Sequence, residues 1–92
     1  MDKGKLRDVS GTITTGGTAQ TVLAECVGRR FLMYQNVSDA DQWINFSGAA
    51  TAGAGSLKFA AGMGQTWETF VPTGMMSIYG ATTGKAFTVK EG

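Results

Sequence analysis

Ninety-two residues, eight basic and seven acidic, give a formal charge of +1, with no histidine and one cysteine. That balance offers no basic field for nucleic acid, and the missing imidazole removes the commonest general base and metal ligand. A lone Cys26 makes neither an internal disulfide nor a thiolate zinc cluster.

Charged residues are 16% of the chain, against roughly 25 per cent in an ordinary soluble domain. A surface so poor in charge is expected to be covered by a partner. One domain of this size buries only roughly 60 to 65 per cent of its surface, so the core is thin and a neighbour would support it. No apolar stretch approaches the roughly 18 residues of a membrane span or supplies the apolar segment of a signal peptide. The chain is therefore expected to be made in a cytoplasm-like compartment, with no membrane partner.

In chain order, residues 1–8 mix Asp2 and Asp8 with Lys3, Lys5 and Arg7 around one apolar anchor, Leu6. They read as an N-terminal arm, either a frayed terminus or a segment that reaches a neighbouring subunit. Residues 9–92 read as the domain. Thr12-Ile13-Thr14-Thr15, Gly16-Gly17 and Thr18-Ala19-Gln20-Thr21-Val22-Leu23 form a hairpin signal, because paired glycines suit a tight primed turn and threonines suit strands. Pairing Thr15 with Thr18 puts Val9, Ile13, Val22 and Ala24 on the expected core face and Leu23 on the other.

The centre of the chain is residues 29–48, read as two strands joined by a polar turn. Phe31-Leu32-Met33-Tyr34 is an unbroken apolar run, expected of a strand covered on both faces. In residues 42–47 Ile44 and Phe46 alternate with Trp43 and Asn45, as in a half-exposed strand. Between them Asn36, Ser38, Asp39 and Asp41 favour a turn. Asp39 and Asp41 lack the calcium-loop pattern with its closing Glu, so a solvated turn is the reading preferred over a metal site.

Residues 48–56 hold three glycines among small residues and read as a surface loop lying flat on a partner. Residues 57–60 and 65–71 read as a second hairpin, ended by Pro72-Thr73-Gly74. Residues 76–79 and 86–89 are the last two strands. About eight short strands at roughly ten-residue spacing, with no amphipathic helix, predict an all-β fold: an antiparallel β-sandwich or jelly-roll-like barrel. Gly11-Thr12-Ile13-Thr14-Thr15-Gly16 faintly echoes Gly80-Ala81-Thr82-Thr83-Gly84, which is taken as shared turn chemistry.

Chemistry is sparse. No phosphate-binding glycine pattern opens a helix, and Glu25, Glu68 and Glu91 sit in unrelated contexts, so no enzyme, cofactor or metal site is expected. Trp43 and Trp67 are the candidate binders: on one sheet face they would make an aromatic platform for a sugar ring or anchor a protein interface, and otherwise they fill the core. Arg29-Arg30 reads as an exposed strand-edge pair or as a partner for acidic groups.

The chain from Ser10 onward resembles a group of small tailed-bacteriophage virion proteins. The resemblance rests on Ser-Gly-Thr-Ile at 10–13, Gly-Gly-Thr-Ala-Gln-Thr at 16–21, the Arg-to-Ser segment at 29–38, Trp-Ile-Asn at 43–45, Val-Pro-Thr-Gly at 71–74, Ser77 to Gly84, and Phe87 to Glu91. It departs at Ser47-Gly48, where the pattern has glycine directly after the aromatic, and in the charged arm. The resemblance implies a non-enzymatic structural part of the virion. A decoration or cement protein on the major capsid protein shell is the expected role, with a tail, neck or head-fibre component as the alternative. It also implies a homo-oligomer, with a trimer as the expected form. From the residues themselves, a host-glycan-binding β module is the competing expectation. The expected interface residues are Lys3, Lys5, Leu6, Arg7, Arg29, Arg30, Asp39, Asp41, Trp43 and Trp67.

Overall fold

The computed structural model describes residues 5–92, and every regular element in them is a strand. β1 is Arg7–Asp8, β2 Gly11–Thr12, β3 Gln20–Leu23, β4 Leu32–Asn36, β5 Gln42–Asn45, β6 Leu57–Phe59, β7 Gly64–Trp67, β8 Met76–Gly80 and β9 Ala86–Glu91. They form two antiparallel sheets. One has the order β9-β4-β7 with β1 and β2 in succession on the free side of β9, and the other runs β3-β8-β5-β6.

The pairings are nested. β5 pairs with β6, β4 with β7, β3 with β8, and β2 with β9, so the chain is a doubled ribbon with its bend between β5 and β6. Winding that ribbon brings β9 against β4 and β8 against β5, which closes the two sheets. This is the strand order of a jelly roll.

The expected hairpins are absent for a common reason. β2 and β3, β4 and β5, β6 and β7, and β8 and β9 each lie in different sheets, so those turns carry the chain across the core as arches. The Thr15–Thr18 turn does form, with the Thr18 amide donating to the Thr15 carbonyl and Gly17 at φ 81°, but the flanking strands diverge. The central pair likewise separates. β4 alternates Leu32, Tyr34 and Asn36 inward with Met33 and Gln35 outward, and is not covered on both faces. β7 stops at Trp67, before the expected end at residue 71.

Ile13, Leu23, Leu32, Tyr34, Ile44, Phe59, Met76, Ile78, Phe87 and Val89 form the core, with Val9, Val22, Phe46, Trp67 and Val71 packed at its margin. Each fully buried large side chain contributes about 1.5–3 kcal/mol. Leu23 is buried, against expectation, and Ala24 is exposed, because the β3–β8 register shifts between Thr21 and Leu23. Such a bulge sends the following side chain to the opposite face.

Backbone groups left unpaired at the arches are met by buried polar side chains. Asn36 donates to the carbonyls of Ala40 (2.6 Å) and Phe59 (2.9 Å) and accepts from the Ser38 amide and hydroxyl. Tyr34 of one sheet donates its hydroxyl to Gln42 Oε1 of the other, and Gln42 Nε2 returns a bond to the Ala86 carbonyl at 3.0 Å. At this same end the two similar turns touch: the Gly17 amide donates to the Gly80 carbonyl, and Gly16 lies so close to Ala81 that a side chain would not fit. The 48–56 loop lies on its own sheet, not free for a partner throughout: Ala50 is buried and its amide donates to Ser77 Oγ at 3.0 Å.

Candidate functional site

The end opposite those arches gathers the β3–β4, β5–β6 and β7–β8 connections with Lys5, Leu6 and the C-terminal Gly92. Its organising residue is Arg29, whose side chain is withdrawn from solvent. Nη1 donates to the Pro72 and Gly74 carbonyls at 2.6 and 3.1 Å, Nη2 to the Ala24 carbonyl at 2.9 Å, and Nε to Glu91 Oε1 at 3.3 Å. A planar fork of five N–H donors suits this task, and a lysine would not span it. One side chain thereby ties two loops to the last strand.

Glu91 is the counterpart. It is 2% exposed, and its second oxygen accepts from Arg7 Nη2 at 2.8 Å across the β1–β9 pairing. Taking two ions out of water costs several kcal/mol each, which their mutual attraction roughly offsets; stranding either partner costs about 3–5 kcal/mol. The Gly92 carbonyl accepts from the Arg30 and Phe31 amides, which fastens the chain end beside the pair.

Around this clamp large apolar side chains stand exposed among the charged Lys5, Arg7, Glu25 and Arg30. Val27 is 85% exposed, Phe70 81%, Leu6 50% and Met75 36%. Beside the clamp, a cleft of about 470 Å³ is lined by Lys5, Leu6, Arg7, Ala24, Glu25, Cys26 and Glu91. Cys26 is half-buried, with its amide bonded to the Thr73 carbonyl. Just beyond the cleft Asp8 is held below the usual carboxylate range, because the Ser10 hydroxyl and then the Ser10 amide donate to it.

The expected interface residues are dispersed. Lys5, Leu6 and Arg7 reach the cleft, whereas Lys3 lies outside the described residues. Of the arginine pair only Arg30 is exposed; Arg29 is buried, so it is neither a strand-edge cation nor available to a partner's acid. Asp39 and Asp41 sit at the opposite end, paired with Lys85 at 2.6 Å and Lys58 at 3.6 Å. The Lys85 side chain, by hydrogen bond and by charge, keeps Asp39 below the usual carboxylate range.

The two tryptophans do not share a face. Trp67 turns inward at the core margin, packed edge-on against Phe46 with ring centroids 5.3 Å apart. Trp43 lies in the other sheet, on its outer side opposite Tyr79, with Lys58 Nζ 5.6 Å from the ring centroid. No platform spans both indoles.

No protein-family model, curated protein or solved structure matches this chain. The exposed apolar residues Val27, Phe70 and Met75 and the buried Glu91 escape a reading by sequence. Val27 and Phe70 lie in loops without alternation, and Glu91 meets Arg29 across 62 positions. The only local hint is a basic pair directly before a buried strand.

Proposed function

We propose that this chain is a non-enzymatic structural protein of a phage virion, a capsid decoration or cement protein. It binds the outer surface of the major capsid protein shell and stabilises it as a homo-oligomer. The observation that carries the reading is the end of the sandwich where Leu6, Val27, Phe70 and Met75 stand exposed on connections that the buried Arg29–Glu91 pair holds. Large apolar side chains on a preorganised frame bind with little ordering cost. Repetition over a symmetric shell then multiplies modest interfaces. The motif resemblance and the jelly-roll winding point the same way.

The test strips purified particles of this protein by mild denaturation and adds it back as wild type or as Val27→Asp/Phe70→Asp. Wild type is expected to rebind and restore heat resistance, and the variant to stay in solution with its fold intact. Stripped particles as heat-resistant as intact ones, or a variant that rebinds like wild type, would overturn the reading. Gold labelling of intact particles separates the shell from tail, neck and fibre positions.

A further inference from the structure

Two sheets leave four free edges, and three of them are guarded. The β3 edge carries a bulge between Thr21 and Leu23. The β6 edge is three residues long with Lys58 at its middle. The edge beyond β9 is broken into β1 and β2, two residues each, with Arg7 and Asp8 in the first. Bulges, charge and short length are the devices by which monomeric proteins keep strand edges from pairing. β7, four residues long, carries neither a bulge nor a charge. Gly64-Gln65-Thr66-Trp67 is uncharged, contains no proline, keeps an unbroken register with β4, and presents its other side to solvent.

We propose that the β7 edge pairs with β7 of a second copy, antiparallel about a two-fold axis, so that two five-stranded sheets become one continuous sheet. The pairing surface is complementary to itself. Because side chains alternate between faces, paired residues must share a face. Opposite Leu32 and Tyr34 of β4, Trp67 and Gln65 face inward, while Thr66, opposite Met33, faces outward. A two-fold at Thr66 therefore sets Thr66 against Thr66, and Gln65 against Trp67, with no like charges opposed. A threonine–threonine pair of this kind stabilises adjoining strands. The axis also continues the ladder on alternate backbone N–H and C=O groups that otherwise meet only water. Isologous two-fold contacts are the commonest in soluble oligomers. A pairing this short is a weak interface, so association is read at high protein concentration.

The experiment measures mass by sedimentation equilibrium on the isolated protein, without virus particles, and so is independent of the decoration reading. Wild type is expected to reach twice the chain mass as concentration rises. Thr66→Lys, which sets two ammonium groups face to face, is expected to stay at the chain mass. An equal mixture of Thr66→Lys and Thr66→Glu is expected to recover the doubled mass, and Thr21→Lys on the guarded β3 edge to behave as wild type. Should Thr66→Lys fail to fold, hydrogen exchange on wild type takes its place, with β7 amides slowing as concentration rises. A wild-type monomer at every concentration, an oligomer that persists in folded Thr66→Lys, or β7 amide exchange indifferent to concentration would each overturn the proposal.

Discussion

Replacing Arg29 by Met removes one buried cation and leaves Glu91, 2% exposed, facing Arg7, a side chain 65% exposed. The carbonyls of Ala24, Pro72 and Gly74 lose their guanidinium donor at the same time. Stranding one half of a buried pair costs about 3–5 kcal/mol. A chain of this length has a total stability of roughly 5–14 kcal/mol, so a large share disappears. At about 4–8 °C per kcal/mol, the midpoint falls by at least about 12 °C.

Urea and thermal unfolding followed by tryptophan fluorescence and far-UV circular dichroism read this directly. Two companions isolate the cause. Arg7→Ala, which removes the exposed partner, is expected to cost no more than about 1 kcal/mol. Arg29→Met with Glu91→Leu is expected to recover the part of the loss due to the stranded carboxylate, since an apolar pair often substitutes for a buried ion pair, while the Ala24, Pro72 and Gly74 carbonyls stay without their donor. An Arg29→Met loss below about 1 kcal/mol, or one matched by Arg7→Ala, would refute the assignment of Arg29 as the clamp.

Burial pushes the Tyr34 phenol above its ordinary 10.0. The folded state therefore holds that proton more tightly, and stability intact below about pH 10 is lost as pH rises past the unfolded value. In an alkaline titration the Tyr34 phenolate absorbance, obtained as wild type minus Tyr34→Phe, is expected to appear only with unfolding by circular dichroism; a phenolate band in folded protein near pH 10 contradicts this. At Asp39 the lowered value has the opposite sense: its contribution is present above the ordinary 3.8 and is lost as pH falls through the folded value. Because the pair is exposed, Asp39→Asn is expected to flatten the acid limb of urea midpoints in low salt and to change little in high salt. Gly64→Ala drives a Cβ into the Tyr34 carbonyl and to 2.9 Å from the Gln35 Cα, so it is expected to loosen β7 and lower the thermal midpoint. Gly48→Ala meets nothing within 4 Å and is expected to be neutral or stabilising by about 0.4–1 kcal/mol; equal midpoints for the two variants would refute the close approach.

Strand positions were legible because alternation and turn residues are local. Ile44 and Phe46 lie on one side of their strand and Trp43 and Asn45 on the other, as their spacing implies. Strand partners were not legible. Asn36, Ser38 and the Gly16-Gly17 pair say that the chain turns, but a hairpin and an arch across the core need the same residue types. What separates them is the pairing of β4 with β7 and β9, whose residues are distant in sequence. The Arg29–Glu91 clamp fails to announce itself for the same reason. The bulge in β3 shows the limit of alternation itself: one displaced residue moves Leu23 into the core.

Nesting also dictates an order of assembly. Among sequence-adjacent strands within one sheet, β5 and β6 alone are antiparallel partners, so they can meet first, and every later pairing must enclose the earlier ones. The outermost, β1 with β9, joins Arg7 to Glu91 across 84 positions and closes the largest loop, which makes the pathway slow. Glu91 lies in the last strand, and a nascent chain that has not yet reached it lacks the buried carboxylate that faces Arg29. The clamp at Arg29 is thus completed only once β9 is in place, and a chain interrupted before Glu91 cannot lock.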